Sequence, residues 1–148
     1  MNLVRSALPS PDSKLTEVAI RTDRQKLAKR LWRAPADDGV DFGFELEAPL
    51  QHGDAVWSTP QKLYVVRQEP ERVLEIPLDV APDAAAIIGW AVGNLHFAIE
   101  AQPTRVLAPD DTGLRQTLDR MGIHYHEASE IFQPNRFAGS LTGHGHHH

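Results

Sequence analysis

The chain has 148 residues, 41% of them apolar and 24% charged, with a formal net charge of −5 and no cysteine. That length suits one ordinary domain or two small ones, and a negative chain with no basic stripe gives nucleic acid nothing to bind. No apolar run approaches the roughly 18 residues that span a bilayer, and without cysteine neither disulfides nor thiolate metal sites exist.

Residues 1–14 are rich in Pro and Ser and read as a loose terminus. They lack the apolar core of a secretory signal, so the expected location is cytoplasmic. Residues 15–20 (LTEVAI) read as a strand. Residues 22–33 fit two periods: Leu27/Leu31 and Ala28/Trp32 suit a helix, whereas alternation around Leu31 and Arg33 suits a strand. Asp37-Asp38-Gly39 is a tight-turn signal, and Phe42, Phe44 and Leu46 then alternate as in a half-buried strand. Ala55–Trp57 and Leu63–Val66 read as further short strands, separated by turns at His52-Gly53-Asp54 and Ser58–Lys62. Strands at such spacing suggest a small β-barrel or sandwich.

The pattern changes near Gln68-Glu69-Pro70-Glu71. Strand 72–78 is followed by helix 82–92, with Pro82 near its first position, Asp83 in its first turn and Gly93-Asn94 as a stop. Strands 95–101 and 104–108 come next. Helix 112–121 carries Leu114, Leu118 and Met121 on one face and Gly122 at its end, and strand 123–131 closes the series. The order βαββαβ is the ferredoxin-like split βαβ unit. The expected class is therefore α+β: a small β-rich domain over 1–70, a ferredoxin-like βαββαβ domain over 71–133, and a flexible His-containing tail over 134–148. The run Ala84–Val92 is apolar on nearly every face, so its helix needs two burial surfaces. One is its own sheet, and a second copy of the chain or the β-domain would supply the other.

Eight histidines are present, four of them in the last five residues. A metal here must be held by imidazole or carboxylate, which suits nickel, zinc or Cu(II). His144 stands apart from His146, His147 and His148 across Gly145; an expression tag usually has six in a row, so the interrupted form favours a native tail. His124 and His126 lie two apart on an expected strand and share a face; such a pair can chelate, though a solvated strand face is the commoner reading. His52 sits in a turn and reads as exposed. The basic residues Arg24, Lys26, Lys29, Arg30 and Arg33 read equally as a solvated face or as a contact for an acidic partner. The motifs G-x-S-x-G, G-x-G-x-x-G, H-E-x-x-H and the Walker loop are all absent, so the chain is not expected to be an enzyme.

Gly93-Asn94-Leu95-His96 resembles the G-N-R-H motif of the urease accessory protein UreE family. Other elements follow in that family's order: the basic segment from Arg24, Asp38-Gly39, Gly53-Asp54, Glu71-Arg72-Val73-Leu74, the helix end at Gln116–Gly122, Phe132-Gln133-Pro134 and the terminal histidines. Leu95 stands where Arg is usual and Trp90 where His is common. A further His pair of some members is replaced by Ala108-Pro109-Asp110-Asp111. The resemblance implies a non-enzymatic nickel metallochaperone that binds Ni(II) at a homodimer interface through His96. It implies delivery to the urease apoprotein through the urease accessory GTPase complex. Zn(II) or Cu(II) would substitute in vitro, and neither nucleic acid nor membrane is an expected partner. One imidazole is a poor metal site; two-fold symmetry gives two, and His144, His146, His147 and His148 would add more at high effective concentration. The alternative is a ferredoxin-like module that binds or senses a small ligand, with the terminal histidines a tag. A metal-dependent hydrolase would need a third fixed ligand that the sequence does not offer.

Overall fold

The protein is seen here as a computed structural model that describes residues 1–134, in two units, the first Met1–Glu69 and the second beginning at Pro70. The class is α+β, with a strand-rich first unit and a mixed second one. Among the described residues no helix is long and apolar enough to cross a membrane.

The first unit contains β1 (Asn2–Val4), β2 (Thr16–Thr22), α1 (Arg24–Leu27), β3 (Leu31–Pro35), β4 (Asp41–Glu45), β5 (Ala55–Ser58) and β6 (Lys62–Gln68). They form two three-stranded sheets, ordered β1-β4-β3 and β2-β6-β5. Alternation on β3 and β4 sends Trp32, Phe42 and Phe44 inward, where they meet Ile20, Tyr64 and Val66 in one core. Trp32 and Phe44 stack with ring centres 3.9 Å apart. Asp38 lies in the turn between β3 and β4, where Gly39 supplies a φ of 88° that a side chain would resist. Its carboxylate accepts from the Lys62 ammonium at 2.9 Å and the Tyr64 hydroxyl at 2.8 Å, tying one sheet to the other.

Two expectations change here. The N-terminus is not loose: β1 pairs parallel with β4, Leu3 opposite Gly43. Both periods in residues 22–33 are used in turn, because Asp23 caps a single helical turn by accepting from the Lys26 N–H, and the chain then extends into β3.

The second unit contains β7 (Glu71–Pro77), α2 (Pro82–Asn94), β8 (Glu100–Ala101), β9 (Arg105–Pro109), α3 (Thr112–Arg120) and β10 (His126–Glu130). The sheet runs β10-β7-β9-β8 with every neighbour antiparallel, the order of a ferredoxin-like unit. Leu74, Ile76, Val106 and Ala108 pack against Ile88, Val92, Leu114 and Leu118 of the helices. On the opposite face Val73 and Leu107 are covered by Phe132, which is fully buried. The segment carrying Phe132 is held by the Gln133 N–H, which donates to the Glu100 carboxylate at 2.7 Å.

The expected strand 95–101 shrinks to two residues, and residues 95–99 form a turn and an irregular link. The final strand begins at His126, so His124 precedes it. Met121 is 40% exposed although it follows the buried face of α3, because Gly122 at φ 68° turns the chain away there. Asp111 caps α3 by accepting from the Leu114 N–H, and Asp110 binds Arg115 at 2.7 Å.

Candidate metal centre

His96 stands immediately beyond α2. The helix runs on through Gly93 and Asn94, Leu95 caps it, and its backbone is closed by the His96 N–H donating to the Gly93 carbonyl at 2.9 Å. The left-handed residue that ends the helix is His96 itself, at φ 64°, and not Gly93. A side chain in that region is disfavoured, and glycine or asparagine commonly takes the position. His96 is exposed, so its ring is presented to solvent from a backbone turn fixed by the helix end.

The helix leading to it is covered on one side only. Ile88, Ala91 and Val92 are buried against the sheet, whereas Ile87 and Trp90 are 51% and 61% exposed. Ala86, Trp90 and Gly93 share the outward stripe at helical spacing, and a Cβ added at Gly93 would meet nothing within 4 Å. The expected double burial of this helix is thus half met within the second unit. An open groove of about 800 Å³ lies at the other end of α2, lined by Val80, Ala84, Ile87, Met121, Ile123 and His124 among others.

The remaining histidines are dispersed. His124 and His126 are both exposed, with ring centres 6.1 Å apart. His126 Nε2 lies 3.2 Å from a carboxylate oxygen of Glu75 on β7. His124 lines the groove at the N-terminal end of α2, whereas His96 follows the C-terminal end of that helix. His52 is half-buried rather than exposed, and its Nδ1 accepts from the Gln68 N–H at 3.0 Å, which makes it part of the turn between β4 and β5. His144, His146, His147 and His148 lie outside the described residues. Among the described residues no three His, Asp or Glu side chains are grouped to enclose a metal ion. The basic residues of the first unit sit around α1: Lys26 Nζ donates to the Arg33 carbonyl at 3.1 Å, while Lys29, Arg30 and Arg33 are exposed.

Trp90 and Glu75 were not singled out as contributors to a site by sequence. Trp90, like Ile87, is an apolar residue of α2 with no place on its buried face. Glu75 acquires its neighbour only through the β7–β10 register, which pairs it with His126 across 51 residues of chain.

These features define a class: a β-rich unit followed by a ferredoxin-like unit that presents an exposed histidine beside an uncovered apolar helix stripe. Residues 71–148 match the family described as UreE urease accessory protein, C-terminal domain. Proteins named urease accessory protein UreE are similar over most of the chain. The one from Nitrosococcus oceani is 30% identical over 95% of this chain and 82% of its own. The one from Lysinibacillus sphaericus is 28% identical over 81% of this chain and 82% of its own. The one from a Nostoc species is 29% identical over 100% of this chain and 98% of its own. The chain belongs to the UreE urease accessory protein family.

Proposed function

We propose that this chain is a homodimeric, cytoplasmic nickel metallochaperone, not an enzyme, that carries Ni(II) for assembly of the urease active site. The observation that carries the reading is the exposed His96, held at a left-handed helix end in a chain of the UreE family. One imidazole is too few for a divalent metal, and two copies related by a two-fold axis supply two. The stripe of Ala86, Trp90 and Gly93 supports that pairing, because small residues beside a large apolar one let a second helix approach closely. The terminal histidines His144, His146, His147 and His148 add ligands from a tether and make the site easy to open, which release of a cargo requires. The basic residues around α1 offer a contact for an acidic surface of the urease apoprotein or of the urease accessory GTPase complex.

Nickel titration calorimetry combined with sedimentation tests the site. The intact chain and a form ending at Gly143 should both hold one tightly bound nickel per two chains, and His96→Ala should lose that shared, tight binding. Loss of all binding on removal of the tail alone would overturn the role of His96. The groove beside α2 favours a second reading, a small-ligand module. A chain that remains monomeric and takes up no nickel would turn the account to it.

A further inference from the structure

We propose that His124 and His126, backed by Glu75, form a second divalent-metal site in each protomer, an open two-imidazole chelate for Cu(II), Ni(II) or Zn(II). His124 lines the groove beside Asp83 and Ala84 at the start of α2, whereas His96 follows the end of that helix. Thirteen helical residues, about 20 Å, separate the two ends. The second site is therefore not part of the first.

Three observations bring the pair to a ligand. Ile123 and Tyr125 pack against the helix-side core, whereas His124 and His126, beside them in the chain, are both exposed. Their ring centres are 6.1 Å apart. An ion about 2.0–2.1 Å from one nitrogen of each ring holds the centres roughly 4.5–6 Å apart, so a small ring rotation closes the chelate. The third observation is Glu75, 3.2 Å from His126 Nε2. With Nε2–H donating to that carboxylate, the tautomer is fixed and the Nδ1 lone pair is left free to ligate. A carboxylate that orients a ligating imidazole through its other nitrogen is the recurring support of histidine metal sites. Glu75 is itself held by Arg105 at 3.3 Å, so the support is anchored in the sheet. Water completes the coordination, which leaves the ion accessible for capture and exchange.

The test uses the full-length chain with His96, His144, His146, His147 and His148 all changed to Ala. This parent is blind to the outcome at His96, and Cu(II) is the probe because imidazole sites hold it most tightly. The parent should bind one Cu(II) per protomer, with nitrogen coupling from two imidazoles in its electron paramagnetic resonance spectrum. Adding His124→Ala or His126→Ala should weaken binding at least tenfold and remove one nitrogen from the spectrum. Glu75→Gln should weaken it about 10- to 100-fold with the stoichiometry unchanged. A parent that takes up no Cu(II), or one whose uptake is indifferent to both histidines, would overturn the site. If Glu75→Gln lowered only the melting temperature and not the affinity, Glu75 would be a structural partner of Arg105 and its positioning role would fall.

Discussion

At His96 the proposed ligand role and the backbone make opposite demands. A metal site needs imidazole there, while φ 64° favours glycine. The two roles separate by substitution. His96→Gly should keep or raise the melting temperature of the chain, His96→Ala should lower its stability by about 1 kcal/mol relative to His96→Gly, and both should lose the nickel shared between two chains. Equal melting temperatures for the Gly and Ala forms would show that the left-handed turn is absent in solution. A mixed case arises at Asp38, whose turn was legible as Asp-Asp-Gly but whose partners were not. Its carboxyl group is held below the usual range by the Lys62 ammonium foremost and by the Tyr64 hydroxyl, and Tyr64 in turn is pushed up by Asp38. Lys62 and Tyr64 are 24 and 26 residues away, and nothing local in the sequence announces that contact. The same holds for Glu75 beside His126. Residue types and turns could be read from sequence, whereas cross-strand neighbours depend on register.

At the scale of elements, α2 was legible in its start, its apolar character and its need for two covers. The side left open was not, because all-round apolarity carries little directional signal; the sheet's geometry chose Ile88, Ala91 and Val92 for burial. If a second copy covers the other side, Gly93→Leu and Trp90→Glu should each shift sedimentation from dimer to monomer while leaving the circular dichroism of the single chain unchanged. Gly93 has open space around it within one chain, so a loss of folded signal would contradict this assignment of the face. In α3 the sequence placed Leu114 and Leu118 correctly, and both are fully buried. Leu118→Ala should destabilise the second unit by about 2–4 kcal/mol, read as a lower denaturant midpoint. The irregular link at 95–99 was mistaken for a strand because Leu95, Phe97 and Ile99 alternate. That alternation is outweighed by the helix, which runs on to Asn94 and reverses only at His96.

On the scale of the whole molecule, each unit is tied by ion pairs between segments distant in sequence. Arg67 binds Glu17 at 2.6 Å in the first unit, and Arg105 binds Glu130 at 2.6 Å in the second. Arg67 holds the Glu17 carboxyl low, Arg115 does so for Asp110, and Arg105 for Glu130. A carboxyl group whose folded value is depressed stabilises the fold above its unfolded value, near about 4, and that stability is lost as pH falls through the folded value. The melting temperature should therefore hold from pH 7 to about 5 and fall below about pH 4. Metal loading should fail earlier, below about pH 6, since imidazole must be neutral to ligate. Between the two lies a window in which the chain is folded but empty; equal nickel uptake at pH 5 and pH 8 would contradict imidazole ligation. The α+β class and the βαββαβ order were legible because hydrophobic periods and turn residues are local signals. The parallel pairing of β1 with β4 was not, since three residues carry no pattern of their own. The most direct test of the whole account is transfer: nickel-loaded chain is mixed with urease apoprotein and its accessory GTPase complex, with a chelator present to scavenge free metal, and ureolysis is followed. The intact chain should activate urease, and His96→Gly, folded and equally concentrated, should not. Equal activation by both would contradict the claim that His96 carries the cargo.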